Sequence, residues 1–225
     1  MQIKLSIITP TLNEADQIEQ HLGNLQLLRQ QGHEVVVVDG GSIDDTVSLV
    51  SPLCDQVCQT QQSRSIQMNR GTEVASGDCF VFLHADTVLP ENFLESLSSI
   101  NGIENKWGRF DVRLSGRNSL FRVIESCMNS RSSFTGIVTG DQVVFIGKEL
   151  FNRVGGYPEI ALMEDIAISR LLNKFSKPIR IREKVITSSR RWENNGIVKT
   201  IIKMWLLRLL YLFHYDTNKL AKLYE

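Results

Sequence analysis

Four carboxylates stand where an apolar run or a loop gives way to the next element of the chain. Asp39 follows EVVVV, Asp86 follows CFVFLHA, and Glu164 and Asp165 open a stretch of helical spacing. Carboxylates bind hard divalent cations, accept hydrogen bonds from ribose or base groups, and take protons from hydroxyls. Asp and Glu at such positions also cap turns and helix starts, which is the simpler explanation for each one taken alone.

The elements that must position Asp39 and Asp86 are strands. The runs LSIITP, EVVVVDGGS and CFVFLHADT predict strands over residues 3–9, 34–38 and 79–83. Four consecutive valines favour a strand covered on both faces, as in a parallel sheet with helices above and below. Helical spacing between the first two runs completes a strand-helix-strand crossover. Because ligands of open α/β sheets bind at the carboxyl ends of strands, we expect one cleft where the three strands end.

Length and cysteine usage indicate an ordinary globular protein. The 225 residues suit one large domain or a domain with an appendage. The four cysteines have no CxxC spacing and no nearby His pair, so we predict free, mostly buried thiols rather than a zinc site. No basic region followed by an apolar core opens the chain, so we expect no secretory signal and a cytoplasmic location, with the inner face of the membrane as a further option.

Charge is divided unevenly along the chain although the net charge is zero. Residues 1–100 hold 4 Lys or Arg against 13 Asp or Glu, a net charge of −9, and residues 101–225 hold 21 against 12, a net charge of +9. A basic half often meets anions, and phosphates, an anionic acceptor or a membrane surface all fit. We expect no nucleic-acid partner, because the sequence has no zinc-finger spacing, RNP-like aromatic strand or basic helix of the usual kind.

Two further features could contact a phosphorylated ligand. The sequence GGS directly after Asp39 permits close backbone approach, but it is not GxGxxG, so a dinucleotide fingerprint is unsupported. Arg70 lies in a helix predicted near residues 66–75, where its guanidinium could bind a phosphate bidentately or simply face solvent.

The blocks SIITPTLNE, VVVVDGGSIDDT, FLHADT, GDQ, MEDIAISRLL and SRRW follow one another from Ser6 to Trp192. In this order they resemble the signature blocks of family 2 glycosyltransferases of GT-A fold, and most of all the small bacterial branch associated with radical-SAM and selenodomain proteins. The resemblance implies an α/β fold with a twisted, mostly parallel central sheet flanked by helices. It also implies inverting transfer of a sugar from a nucleotide diphosphate sugar, expected to be a UDP-sugar, with a divalent metal.

The resemblance assigns roles residue by residue. The family's DxD block is spelled His84-Ala85-Asp86 here, so Asp86 would bind Mg²⁺ or Mn²⁺ on the diphosphate. In the ED block, Asp165 would be the catalytic base, preceded by Glu164. Together with Arg70, the expected nucleotide-sugar contacts are Thr9, Pro10, Glu14, Asp39, Gly40, Gly41, Ser42, His84, Ala85, Asp141, Arg191 and Trp192.

Two blocks depart from the family pattern. His84 stands where the first carboxylate would be and would contact ribose or phosphate instead, since a hard cation bound largely by diphosphate oxygens can manage with one protein carboxylate. The QxxRW block reads SSRRW, so its Gln is missing, while Arg191 would balance diphosphate charge and Trp192 would shape the acceptor side. Asp141 is a candidate for sugar hydroxyls, or simply part of a polar turn before the next strand.

We therefore predict a GT-A domain over residues 1–193, with a nucleotide-binding half, 1–100, and an acceptor half, 101–193. A helical segment, 194–225, follows. One alternative is a nucleotidyltransferase that makes nucleotide sugars, which would normally carry a Gly-rich loop with a basic residue after the first strand, where this chain has TPTLNE. The other is a non-catalytic nucleotide-sugar-binding protein.

The stretch 197–213 predicts a helix that is apolar around most of its circumference. At about 1.5 Å per residue it spans roughly 25 Å, short of the ~30 Å hydrocarbon core, and Arg208 and two lysines interrupt it, so we expect no transmembrane span. It would pack on the domain or on a second subunit. Alternatively it would lie on an anionic membrane, with Trp205, Tyr211 and Phe213 near the headgroups and the cleft near a lipid-linked acceptor rather than a free sugar or small molecule.

Overall fold

The computed structural model describes residues 3–224. The strands are β1 (Leu5–Thr11), β2 (Glu34–Asp39), β3 (Gln56–Gln59), β4 (Cys79–Phe82), β5 (Thr87–Val88), β6 (Trp107–Leu114), β7 (Val144–Gly147) and β8 (Ile179–Thr187). The helices are α1 (Ala15–Gly23), α2 (Gln26–Gln30), α3 (Thr46–Val50), α4 (Arg64–Val74), α5 (Phe93–Ser98), α6 (Ser119–Thr135), α7 (Lys148–Val154), α8 (Glu164–Leu172), α9 (Arg190–Asn195), α10 (Ile197–Leu212) and α11 (Thr217–Tyr224).

The strands form one sheet in the order β3-β2-β1-β4-β7-β6-β8-β5. The neighbours β3, β2, β1 and β4 are parallel, and so are β6 and β8, whereas β7 and β5 run antiparallel to their partners. Helices in the connections between the parallel strands supply the crossovers that parallel pairing requires. The predicted α/β fold with a mostly parallel central sheet is therefore confirmed, and the three strands predicted from apolar runs lie side by side in it.

Both faces of the sheet are covered, which explains the valine run. Val35 and Val37 of β2 belong to a hydrophobic cluster shared with α1, and the two valines that alternate with them belong to a cluster on the opposite face shared with α4. Each fully buried valine contributes about 1.5–3 kcal/mol to folding. α4 lies so close to β1 that a Cβ on Gly71 would collide with the side chain of Ile8.

The carboxyl ends of β1, β2 and β4 meet at one edge of the sheet, which we call the ligand edge. β1 and β2 end together, with Thr11 paired to Asp39, and β4 leads directly into the sequence HAD. β7 runs antiparallel to β4, with Val144 paired to Phe82, so the chain that enters β7 also lies at this edge. This antiparallel insertion brings the 3₁₀ turn Gly140–Gln142 next to the end of β4.

The last two helices pack against the rest of the described chain through two apolar clusters. Leu207 of α10 and Leu220 of α11 are buried together with Met163, which directly precedes α8. The first turns of α10 contact a separate cluster around Phe121 of α6. Within residues 3–224, no helix combines the length and the apolar character that crossing a membrane requires.

Candidate active site

A cavity of about 200 Å³ opens at the ligand edge, between the strand ends, the start of α8 and the carboxyl-terminal helices. Ten residues predicted from the sequence line it: Pro10, Glu14, His84, Ala85, Asp86, Asp141, Glu164, Asp165, Arg191 and Trp192. Six predicted residues lie outside its lining: Thr9, which is fully buried in β1, and Asp39, Gly40, Gly41, Ser42 and Arg70.

Asp165 lies in the first turn of α8, after an unusual backbone position. Met163 adopts a left-handed φ of 71°, and the two carboxylates that follow it line the cavity. Such conformations are costly for residues other than glycine and cluster at functional sites. Burial raises the pKa of Asp165 to about 7, and the adjacent Glu164 adds to the rise. A carboxyl group with a pKa near neutrality suits a general base, because it can both accept and release a proton.

Asp141 and Asp86 lie close enough for their charges to repel each other. The pKa of Asp141 is raised to about 6, first by burial and then by the charge of Asp86. His84 lies against the backbone of Gly140, where a Cβ would collide with the imidazole ring. Burial lowers the pKa of His84 to about 3, with a further contribution from Arg64, so the imidazole is neutral and donates a hydrogen bond from one nitrogen while the other can accept one.

The side chains at this edge fit a divalent cation that is shared with a phosphorylated ligand. Among residues 3–224, no group of three His, Cys, Asp or Glu side chains could hold a metal ion by itself. Asp86 and Asp141 still offer carboxylate oxygens to the same cavity, and a cation would relieve the repulsion between them. Mg²⁺ and Mn²⁺ prefer oxygen ligands, and Mg²⁺ in particular is commonly held by one or two carboxylates together with phosphate oxygens.

The loops after β1 and β2 are tied to each other by their own polar groups. The buried carboxylate of Asp39 accepts hydrogen bonds from the N–H groups of Gly41 (3.0 Å) and Ser42 (2.9 Å) and from the Ser42 hydroxyl. Asn13, a residue type favoured at helix caps, instead adopts a left-handed φ of 53° and accepts from the N–H of Ile43 at 2.9 Å. Asp39 thus organises its own loop, and its contact with a nucleotide stays a prediction.

Helix α4 brings a different arginine to the cavity from the one expected. Arg70 lies outside it, exposed and paired with Glu73 at 2.6 Å, whereas Arg64, the first residue of the helix, lines it. Helix polarity explains the difference, because α4 begins after β3 at the ligand edge and Arg70 lies about 9 Å further along the helix. Burial raises the pKa of Glu164 and Arg64 opposes that rise, so a cation stands beside the carboxylates.

The carboxyl-terminal helices supply a wall of the cavity that the sequence blocks do not cover. Thr200, Met204 and Arg208 of α10 and Tyr224 of α11 line it. Cζ of Arg191 lies 3.7 Å from the centre of the Tyr224 ring, and its Nη2 donates to the Tyr224 carbonyl at 3.1 Å. No local signal identifies this wall, since apolar periodicity marks a helix but not the surface that it packs against.

The sequence profile of Glycosyl transferase family 2 matches residues 6–133. The chain belongs to this family. Family 2 membership, predicted from the ordered blocks, is therefore confirmed. The matched segment includes β1, β2, β4 and the HAD sequence but ends within α6, before Asp141 and Asp165. The roles predicted for those two residues therefore rest on the geometry of the cavity.

Sequence relatives include a named glycosyltransferase and a polysaccharide synthase. An uncharacterized glycosyltransferase of Mycobacterium tuberculosis is 33% identical over 171 residues, which cover 68% of this chain and 62% of the relative. Poly-beta-1,6-N-acetyl-D-glucosamine synthase of Staphylococcus aureus is 24% identical over 191 residues, covering 73% of this chain and 44% of the synthase. The chain thus spans less than two thirds of the length of these relatives.

Solved structures share the fold. A mannosyltransferase from Pyrobaculum calidifontis in complex with GDP-Man and Mn²⁺ superposes with a TM-score of 0.62 at 23% identity, over 83% of this chain and 57% of that one. Glucosyl-3-phosphoglycerate synthase from M. tuberculosis, in complex with Mn²⁺, UDP and glucosyl-3-phosphoglycerate, gives 0.64 at 17% identity, over 93% and 79%. The predicted GT-A fold is confirmed by these likenesses.

Proposed function

We propose that this family 2 protein is an inverting glycosyltransferase that moves a sugar from a nucleotide diphosphate sugar, expected to be a UDP-sugar, to a hydroxyl group of an acceptor. One observation carries the proposal: a single cavity holds Asp165, a carboxyl group whose pKa lies near neutral pH, together with the carboxylates of Asp86 and Asp141. The bound nucleotides and Mn²⁺ of the structurally similar proteins support the donor class.

In the proposed reaction, Asp165 accepts the proton of the acceptor hydroxyl as the hydroxyl oxygen forms its bond to the anomeric carbon. The bond from that carbon to the diphosphate breaks on the opposite face of the sugar, and its electron pair leaves with the nucleotide. Neutral His84 is placed to contact ribose or phosphate, and Arg64 and Arg191 balance the charge of the diphosphate. Burial of Asp165 favours its neutral form, so proton uptake is not opposed by strong solvation of the carboxylate.

Asp86, assisted by Asp141, would hold Mg²⁺ or Mn²⁺ on the diphosphate. When bound, such an ion neutralises charge that develops on the leaving nucleotide. Replacing Asp86 by Asn should weaken the dependence of UDP binding on Mn²⁺, which calorimetry measures directly. Equal enhancement of UDP affinity by Mn²⁺ in wild type and variant would contradict this assignment.

The reaction class is tested by incubating the protein with UDP-sugars and Mn²⁺ and measuring released UDP. Slow hydrolysis, lost when Asp165 is replaced by Asn, supports a transferase. Turnover that requires pyrophosphate would favour a nucleotidyltransferase instead, and tight binding without any turnover would favour a nucleotide-sugar-binding protein. A thermal-shift panel of nucleotide sugars, with and without Mn²⁺, would identify the donor.

We also propose that α10 attaches the protein to an anionic membrane. One face of the helix is exposed and apolar, formed by Val198, Ile202, Trp205, Leu206, Leu209, Leu212 and Phe213. Arg208 faces the cavity and Lys203 Nζ donates to the Tyr224 carbonyl at 2.8 Å, so neither interrupts that face. Lys199 is exposed, where it can meet anionic headgroups. Tyr211, expected near the headgroups, instead packs inward, with Cζ of Arg170 5.4 Å from its ring centre.

The membrane proposal rests on this apolar face together with the net charge of +9 in residues 101–225. Wild-type protein should float with anionic liposomes, more strongly at low salt, and Leu206→Glu with Leu209→Glu should abolish flotation. A double variant that still floats would contradict the assignment. A homodimer in solution that the same double variant dissociates would show that the face meets a second subunit instead.

Two finer assignments stay predictions. A boundary near residue 193 would separate the catalytic domain from the helical segment, and limited proteolysis would test it. Membership of the bacterial branch associated with radical-SAM and selenodomain proteins rests only on which residues make up the sequence blocks.

A further inference from the structure

One face of α10 lines the cavity, and a charged residue lies on it. Thr200, Met204 and Arg208 follow each other at intervals of four residues, so they share one side of the helix. This is the side opposite the exposed apolar face described above. No block of the sequence resemblance covers these positions, and the matched family 2 segment ends at residue 133.

Arg208 is held on the same side of the cavity as the proposed base. Its neighbour Leu207 is buried in one cluster with Met163 and Ile166, the residues that flank Glu164 and Asp165. Nε of Arg208 is shielded from solvent and has no hydrogen-bond partner among residues 3–224. A buried guanidinium N–H without a partner costs free energy, and an anionic ligand would recover that cost.

The charges around the cavity divide into two sides. The ligand edge carries the carboxylates of Glu14, Asp86 and Asp141, which would hold an anion only through a cation. Arg208 reaches the cavity from α10, beside the apolar side chain of Met204, and the cluster that holds this part of α10 contains no strand residue. A guanidinium there can bind a phosphate group through charge-assisted hydrogen bonds while the donor diphosphate occupies the strand edge.

We propose that Arg208 forms an acceptor subsite that binds a phosphate group, so the acceptor is a phosphorylated molecule. This inference rests on the proposed function, because it assigns the acceptor side of the same cavity. The phosphate would belong either to a soluble phosphomonoester or to a lipid-linked acceptor reached from the membrane-facing side of α10. In both cases Arg208 orients the acceptor so that its hydroxyl meets Asp165.

The test measures binding of inorganic phosphate to protein saturated with UDP and Mn²⁺, so that the donor side is already occupied. Replacing Arg208 by Gln should weaken phosphate binding by about tenfold or more, as expected for loss of a charge-assisted hydrogen bond, and leave UDP affinity unchanged. Arg208→Lys should recover part of the loss. The matched control is Arg117→Gln, an exposed arginine outside the cavity that should have no effect.

Failure of this inference is distinguishable from failure of the proposed function. If wild-type protein binds UDP with Mn²⁺ but binds no phosphate, or binds it equally well in the Gln variant, the subsite is overturned while the donor site stands. A parallel loss of UDP and phosphate binding in the Gln variant would also overturn it, because Arg208 would then serve the donor or the fold. If UDP itself does not bind, the proposed function fails first.

Two arms distinguish the source of the phosphate. One offers glycerol phosphate as a soluble phosphomonoester, and the other offers vesicles that contain a sugar linked to a polyprenyl diphosphate, whose sugar hydroxyls can accept, each with a UDP-sugar and Mn²⁺. Transfer that falls in Arg208→Gln identifies the source in the arm where it occurs. Transfer in either arm that is unaffected by the substitution would overturn the role of Arg208.

Discussion

Two regions near the ligand edge satisfy their polar groups in different ways: a strand side, which lies outside the cavity lining, and a second side, which is the cavity itself. On the strand side, the loops after β1 and β2 bond to each other, with Asp39 held by backbone N–H groups and Asn13 bonded to Ile43. On the second side, the pKa values of Asp141 and Asp165 are raised to about 6 and about 7, because burial and neighbouring carboxylates oppose ionisation. The polar groups of the strand side are already hydrogen-bonded, and we call it the scaffold side. On the second side, ionising the buried carboxylates costs free energy.

This difference indicates where a ligand does most to stabilise the protein. A group whose interactions are complete gains little from a ligand, whereas a carboxylate held near other carboxylates gains from any cation or proton that arrives. Arg131 is another group whose interactions are incomplete, since its Nε and Nη2 are buried without a hydrogen-bond partner among residues 3–224. Substitutions on the two sides should therefore have different consequences.

The largest expected effect is on catalysis. Asp165→Asn keeps the shape of the side chain but cannot accept the acceptor's proton, so turnover should fall by at least about 10²-fold with nucleotide affinity nearly intact. Steady-state kinetics and UDP binding measure the two quantities. Glu159→Gln, an exposed residue outside the cavity, is the control and should leave both unchanged. Turnover that survives in the Asn variant would remove Asp165 from its role.

The next effect concerns the stability of the scaffold side. Asp39→Ala removes the acceptor for two backbone N–H groups and one hydroxyl and should lower the free energy of unfolding by about 1–3 kcal/mol. Urea denaturation measures it. Asp45→Ala, at an exposed position without a side-chain cap bond, should change stability by less than about 0.5 kcal/mol. Equal effects in the two variants would mean that Asp39 does not organise the loop.

Apolar runs located the strand ends, whereas Asp141 was predicted through the family resemblance, for a physical reason. Buried parallel strands need long apolar runs, so their ends, and with them Asp39 and Asp86, are visible in the sequence. Asp141 reaches the cavity only because β7 inserts antiparallel beside β4, and apolar patterns do not encode strand order. Arg64 was predictable from helix polarity, whereas Arg208 depends on how α10 packs, which no local pattern contains.

A smaller effect should separate Glu164 from Asp165. If Asp165 must be ionised to act, kcat/KM should fall as pH drops below about 7. Glu164 adds to the rise in the pKa of Asp165, so Glu164→Gln should move the midpoint of this acid limb to lower pH. A pH–rate profile of both proteins at saturating Mn²⁺ gives the comparison. A midpoint that moves upward in the variant would show that Glu164 does not act on Asp165 through its charge.

The smallest expected effect tests whether the second side carries a stability cost. The pKa of Asp165 is raised from its ordinary value of 3.8 to about 7, so the folded state binds its proton more tightly than the unfolded state does. The resulting stabilisation is complete below pH 3.8 and is lost as pH rises through about 7.

An Asn at position 165 cannot ionise, so the variant should avoid that loss. Relative to wild type, Asp165→Asn should gain unfolding temperature as pH rises from about 5 to about 8, even though its turnover is reduced. Asp39→Asn is the comparison variant and should lose stability at both pH values, because it weakens the acceptor for the loop N–H groups. Thermal unfolding of the three proteins at both pH values measures the difference. If Asp165→Asn gains nothing relative to wild type between the two pH values, the second side carries no such stability cost.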